Sequence, residues 1–243
     1  MKTARGFYRL VFFAVAALGL IVRIGLMNLL RGKNLRRSVR LRQAWARWFL
    51  PAIGVRIRVE GQPPDYPCLL MCNHRSYLDP IVLLCDAEAM PVSKAEVARW
   101  PIVGYGARTS GTVFLQRENL QSRKNALHEI GAAVKNGFSV ILFPEGTTHA
   151  QASTSAFKKG GFQLAAAEQI PVVPVALEYG SIADYWIGDD TFVPHFLQRF
   201  GERHMRVLVR YGPPLRSPDM AELLHDTQAW IDARIPEMRQ ALN

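Results

Sequence analysis

The sequence predicts an α/β domain with a mixed, mostly buried sheet flanked by helices, preceded by an N-terminal membrane-associated helical segment. Three observations carry this. Seven short runs of aliphatic and β-branched residues recur after Pro51. Stretches of helical period separate them, which is the alternation of an α/β domain. An apolar run near the start is flanked on both sides by Arg and Lys. At 243 residues the chain has room for one such domain with an appendage, and it needs no disulfides to bury a core.

From Leu10 to Val22 there is no polar side chain, and the apolar run continues to Leu30, interrupted by Arg23 and Asn28. Twenty-one helical residues at a rise of about 1.5 Å match the thickness of a hydrocarbon core. Arg23 is costly at mid-bilayer but lies near enough to the end to snorkel. The basic start and apolar core also resemble a signal peptide. Against that, no small-x-small cleavage site lies between the apolar core ending at Val22 and the Arg-rich segment. Two basic flanks fit a helix that dips into the membrane and returns. Residues 34–50 then read as an amphipathic interfacial helix, its cations alternating with Leu35, Val39, Leu41, Trp45, Trp48 and Phe49. Residues 1–50 are therefore expected to be membrane-anchoring helices and 51–243 the globular domain.

The charge supports this division. The net charge is +10, yet residues 1–60 hold 13 Lys and Arg against one acid, Glu60, and the rest hold 17 basic and 19 acidic residues. The basic excess belongs to the apolar segment, and no basic groove follows in the body, so nucleic acid is excluded as a partner. Membrane lipids are the expected partner.

Strands are expected at 55–59, 67–72, 90–94, 112–115, 139–143, 172–177 and 205–210. Between the fourth and fifth, Leu120, Leu127, Ile130 and Val134 share one helical face, with Asn119 as cap and Gly137 as stop. Ser217-Pro218-Asp219 starts a last helix with a stripe of Met220, Leu223, Leu224, Trp230 and Ile231. Cys68 and Cys72 lie about 13 Å apart on one strand, too far to bridge, so the cysteines read as buried free thiols.

Two polar clusters follow apolar strands: Asn73-His74-Arg75-Ser76-Tyr77-Leu78-Asp79-Pro80, and Pro144-Glu145-Gly146-Thr147-Thr148. Strand ends are where α/β domains bind ligands. Five residues apart, His74 and Asp79 point about 140° from each other on a helix, so only a turning loop pairs them. Paired, Asp79 fixes the imidazole tautomer and leaves its other nitrogen as a general base. The same two residues would also serve simply to hydrogen-bond a loop. No G-x-S-x-G elbow supplies a nucleophile, so the pair suits a substrate that brings its own hydroxyl. P-loop, dinucleotide and zinc motifs are absent.

His74-x4-Asp79, Phe114-Leu115-Gln116-Arg117, Phe143-Pro144-Glu145-Gly146-Thr147 and Ile170-Pro171-Val172-Val173-Pro174 resemble, in order and spacing, the four blocks of the glycerolipid acyltransferase family. Lys94–Gly104 and Phe157-Lys158-x-Gly160 are also similar to it, so the likeness spans roughly 65–180. It implies that 51–243 is an acyltransferase domain needing no metal and no cofactor, with acyl-CoA or acyl-carrier protein as co-substrate. His74 would deprotonate the acceptor hydroxyl and Asp79 would orient it. Arg117, Glu145, Gly146, Thr147 and Lys158 would place the acceptor headgroup, with Glu145 holding Arg117 or a loop amide. Pro171 and Pro174 would shape the acyl site. The setting it implies is the inner membrane, with the catalytic domain facing the cytoplasm, in phospholipid biosynthesis.

One block departs. The family pattern F-P-E-G-T-R has Thr148 at the Arg position, which weakens the expectation of a phosphate headgroup. Trp186-Ile187-Gly188-Asp189, followed by Pro194-His195, is similar to the branch that acylates lyso-ornithine lipid, whose ammonium Asp189 or Asp190 would pair. Lysophosphatidate (1-acylglycerol-3-phosphate) and lyso-ornithine lipid both stand as acceptors. A non-catalytic lipid-binding protein and a lipid hydrolase are the remaining classes.

Overall fold

The computed structural model describes residues 1–242. Two helices open the chain, α1 (Lys2–Arg31) and α2 (Leu35–Ala52). Seven strands then form one sheet: β1 (Val55–Glu60), β2 (Leu69–Cys72), β3 (Ala89–Lys94), β4 (Val113–Leu115), β5 (Ser139–Leu142), β6 (Val172–Tyr179) and β7 (Met205–Tyr211). Helices α3 (Asp79–Leu83), α4 (Val103–Thr109), α5 (Leu120–Lys135), α6 (Gly160–Glu168), α7 (Phe192–Arg199) and α8 (Met220–Leu242) flank it. The strand order is β1-β7-β6-β2-β5-β3-β4. All neighbours are parallel except β6 and β7, so the sheet is mixed, as expected.

Every expected strand is present, with ends displaced by one or two residues. β2 starts at Leu69 rather than at 67, because Pro67 has no N–H to give a ladder. β2 and β6 are buried along their whole length, as continuous apolar runs require when both faces are covered. Their alternation feeds two cores. Leu70, Cys72, Val173 and Val175 face one, and Leu69, Met71, Val172 and Ala176 face the other. The Asn119 side chain accepts from the Ser122 N–H at 2.9 Å to open α5. Gly137, at φ 82, takes the left-handed turn that ends it.

The amphipathic helix expected at 34–50 is α2, and its apolar side is largely internal. Val39, Ala46, Phe49 and Leu50 are fully buried, while Leu35 and Trp48 stay exposed. Ala46, Phe49 and Leu50 belong to the same core as Leu70 and Val175, so packing runs straight across residue 50. A helix carrying Trp and Phe has the same period whether that side meets lipid or a sheet. Arg42 is buried as well, donating to the carbonyls of Ser110 and Ala89. Burial pushes its guanidinium down to about 9.

α1 is continuous, with no re-entrant break, and is long and apolar enough to cross a membrane. It is held against the body along its length. Arg9 donates to the carbonyls of Phe200 and Glu202, at 3.0 and 2.7 Å. Phe13 packs on Phe49, Phe192 and Phe196, and the Trp45 indole N–H donates to the Ala16 carbonyl at 3.1 Å. Farther on, Ile24 is buried and Asn28 accepts from Arg37. The opposite face shows Val11, Val15, Leu18, Val22, Leu26 and Leu29, all exposed at steps of three or four residues.

Candidate active site

The site forms where β2 and β5 end. Asn73, just beyond β2, continues the pairing with β6 through its side chain: its amide donates to the Leu177 carbonyl and accepts the Leu177 N–H, each at 2.8 Å. The chain then turns, and Asp79 with Pro80 opens α3. This brings His74 Nδ1 to 2.7 Å from Asp79 Oδ2.

The Asp79 carboxylate is fully buried and crowded with donors. Oδ2 also accepts the backbone N–H groups of Arg75 at 2.6 Å and Ser76 at 2.9 Å, and Oδ1 accepts the Tyr179 hydroxyl. An oxygen already accepting two backbone N–H groups acts as an acceptor, so Nδ1 donates to it and His74 Nε2 keeps its lone pair. The ring stacks on Phe143 at 4.1 Å, and its side chain is 20% exposed. A base held by one nitrogen and open at the other is what proton removal from a docked hydroxyl requires.

The Glu145 side chain is fully buried, and its two oxygens are taken by loop groups. Oε1 accepts the His74 N–H at 2.7 Å, and Oε2 accepts the Ser155 N–H at 2.7 Å and bonds His149. Of the two expected partners, Arg117 or a loop amide, it therefore holds loop amides. Arg117 instead lies over Gly146, where an added Cβ would stand 3.6 Å from its guanidinium and 3.9 Å from Lys158 Cε. Gly146 has φ 78, the left-handed form that glycine adopts without strain. Two cations thus frame an open backbone turn. Burial pulls the Arg117 guanidinium below its ordinary value, against the opposing pull of Glu118 and Glu96.

Thr147 is exposed. The Thr148 hydroxyl donates to the carbonyl of Trp186, whose own N–H donates to the Arg75 carbonyl at 2.9 Å. The loop carrying Asp189 is therefore tied to both polar clusters, with Asp189 itself exposed. Beside it stand Tyr77, Trp100, Trp186 and Phe192, with ring centroids 5.1 to 6.5 Å apart. The Tyr77 hydroxyl donates to Nδ1 of buried His195 at 3.2 Å, while Nε2–H of that ring donates to the Tyr185 carbonyl at 2.9 Å.

The two prolines lie elsewhere. Pro171 is at the start of β6, where its carbonyl accepts the Leu69 N–H at the opposite end of β2 from His74. Pro174 is inside β6, against Gly212 and on the side packed by α8. A proline in a strand shapes the ladder it sits in.

Four participants were not singled out from the sequence: Arg75, His149, Glu178 and Tyr179. Glu178 accepts from Arg239 at 3.0 Å and from the Tyr185 hydroxyl, with the fully buried Arg75 guanidinium 3.8 Å away. Glu178 and Tyr179 end an apolar strand, the same signal that marks His74 and Glu145. Arg75 sits inside the first polar cluster and His149 directly follows the second, but which residues of such a loop turn inward is a tertiary matter.

A family model described as acyltransferase matches residues 55–178. The chain is 34% identical over 190 residues to a lyso-ornithine lipid O-acyltransferase of Rhizobium meliloti (strain 1021), a match covering 69% of this chain and 64% of that protein. It is 32% identical over 233 residues to the lyso-ornithine lipid O-acyltransferase of Pseudomonas aeruginosa, covering 90% of this chain and 88% of that one. The fold is similar to the crystal structure of the 1-acyl-sn-glycerophosphate acyltransferase of Thermotoga maritima, with a TM-score of 0.72 and 22% identity over 98% of both chains.

Proposed function

The chain belongs to the acyltransferase family, and from that premise we propose that it moves a fatty acyl group from a thioester donor to the hydroxyl of a lysolipid, with His74 as general base. The observation that carries this is the His74–Asp79 contact at 2.7 Å, with Nε2 left to face an acceptor. Nε2 takes the proton of the lipid hydroxyl as its oxygen attacks the donor carbonyl. The tetrahedral intermediate then collapses, breaking the carbon–sulfur bond, and the departing thiolate recovers the proton from His74. Asp79 stabilises the imidazolium that exists between the two transfers. The donor is acyl-CoA or acyl-carrier protein, the two biological acyl thioesters.

Lyso-ornithine lipid is the acceptor we favour. An ornithine headgroup carries a carboxylate, suited to Arg117 and Lys158 around Gly146, and an ammonium, suited to Asp189 on the tethered loop. Thr148, engaged with Trp186, contributes no cation. The similarity to two lyso-ornithine lipid acyltransferases supports the same choice. Lysophosphatidate is the second reading, favoured by the two cations at Gly146, which suit a phosphate equally. The exposed stripe of α1 supports membrane attachment with the helix lying along the surface, and we place the enzyme at the cytoplasmic face of the inner membrane.

The test is transfer of labelled acyl groups by purified protein in mixed micelles, with each acceptor offered separately alongside acyl-CoA or acyl-carrier protein. Transfer to lyso-ornithine lipid, abolished in His74→Ala, is expected. Transfer to neither acceptor, or full activity in the variant, overturns the mechanism. Transfer to lysophosphatidate alone overturns the choice of acceptor.

A further inference from the structure

Behind the His74–Asp79 pair lies a second imidazole–carboxylate pair, His149 with Glu145, whose side chains are 13% and 0% exposed. Its two ring nitrogens have different surroundings. Nε2 meets Glu145 Oε2. Nδ1 faces two donors, the Gln151 backbone N–H at 3.2 Å and Arg75 Nη1 at 3.2 Å, and the same guanidinium nitrogen donates to the His149 carbonyl at 3.0 Å. A ring nitrogen facing two donors accepts, so His149 is the tautomer with its proton on Nε2, and that proton goes to Glu145. The Glu145 oxygen on the other side, Oε1, grips the His74 N–H at 2.7 Å. A continuous chain of contacts thus runs from Arg75 through His149 and Glu145 to the backbone of His74.

We propose that His149 is a positioning residue for His74, a role that rests on the acyl-transfer reading above. Its Nε2–H fixes the carboxylate of Glu145 in the one orientation that holds the His74 N–H and the Ser155 N–H together. Two loops meet there, the one bearing the base and the one following Gly146. Without the imidazole donor, Oε2 loses one of its two partners inside a closed site. The carboxylate then turns to recover a hydrogen bond, and the His74 backbone moves with it. Asp79 still holds the ring, but the ring is displaced as a unit relative to the bound hydroxyl. A displacement of about 1 Å at a reacting group costs on the order of a hundredfold in turnover. Because His149 touches neither Arg117 nor Lys158 among its hydrogen-bond partners, acceptor binding is left alone.

Two polar replacements separate the ring's two nitrogens. His149→Gln reaches far enough to keep a donor on Glu145, whereas His149→Asn keeps only an acceptor for Gln151 and Arg75. Steady-state kinetics are measured for both with the acceptor that the wild-type protein uses, alongside His74→Ala, and folding is followed by thermal unfolding. His149→Gln is expected to keep kcat within about threefold, and His149→Asn to lose between about tenfold and a hundredfold in kcat with KM for the lysolipid within about twofold. Equal kcat in the two variants, the reverse order, or a loss confined to KM overturns the proposal. His74→Ala reports on the underlying reading separately: if it is active, the general-base mechanism fails, and if it is dead while His149→Asn is fully active, the positioning role alone fails.

Discussion

Tyr179, at the end of β6, donates its hydroxyl to Oδ1 of Asp79 at 2.6 Å, from a position 100 residues farther along the chain. Burial pushes the phenol well above its ordinary range, and the negative charge of Asp79 pushes it the same way, so Tyr179 is a permanent donor. The bond fixes the plane of the carboxylate and directs Oδ2 at His74. Tyr179→Phe is expected to lower kcat by about tenfold, the equivalent of about 1.4 kcal/mol for one lost hydrogen bond, with KM unchanged. Asp79→Asn is expected to cost about a thousandfold or more in kcat, because an amide both loses the charge and favours the wrong tautomer. Initial rates over a range of lysolipid concentrations check both. A change confined to KM contradicts the orienting role of the pair.

On the proposed reading, Thr148 is expected to govern which headgroup the site prefers. Thr148→Arg removes the hydroxyl that holds the Trp186 carbonyl and adds a cation beside Gly146. The ratio of kcat/KM for lysophosphatidate over lyso-ornithine lipid is expected to rise by about tenfold or more, as a guanidinium makes paired bonds to phosphate. Competition between the two acceptors in one micelle gives that ratio directly, and an unchanged ratio removes Thr148 from selectivity.

The buried thiols give the protein an alkaline limit. Burial pushes Cys68 up from 9.0 to about 11, with a smaller opposing pull from Ser139. Burial also raises Cys85 to about 12, with Asp86 adding and Arg47 opposing. A group whose folded value is raised binds its proton more tightly when folded, so its contribution is whole below 9.0 and is lost as pH climbs through about 11. The melting temperature is expected to fall across that window, and to fall less in Cys68→Ala. At neutral pH the native protein is expected to resist alkylation that the unfolded chain accepts. Labelling in the native state at the unfolded rate contradicts this.

Attachment to lipid is expected to reside in the outward face of α1. Replacing Val15, Leu18 and Val22 together by Asp exchanges three exposed aliphatics for charges without touching the packed side, where Phe13 and Ala16 lie. Each aliphatic contributes about 1.5–3 kcal/mol when buried in lipid, so co-sedimentation with vesicles is expected to be lost. Activity on acceptor dispersed in detergent is expected to persist. Retained vesicle binding assigns attachment to another surface.

The strands were readable from composition because 69–72, 140–142 and 172–177 are uninterrupted apolar runs, and both polar clusters were readable as breaks after such runs. The His74 turn could be anticipated from Asp79-Pro80 alone. What could not be read depends on which distant segments meet. The inward face of α2 has the same period that a lipid-facing helix has. Pairing β1 with β7 joins Val55 to Met205, a register no local pattern encodes. Glu145 was expected to hold Arg117 or a loop amide, and it holds the amides of His74 and Ser155, a choice no side-chain type signals because any residue supplies a backbone N–H.

The clamp of Arg9 on the carbonyls of Phe200 and Glu202, at one end of α1, and the Trp45 bond to Ala16 farther along it, keep that helix flat on the body. On the proposed reading, with α1 lying along one membrane face, the enzyme would draw on the lipids of a single monolayer. Each turnover adds a second chain to a molecule that stays where it was made, so the area of that monolayer grows while the opposite one does not. Acyl transfer by such a geometry would be coupled to transbilayer lipid movement: sustained synthesis would proceed only as fast as the two sides of the membrane are brought back into balance.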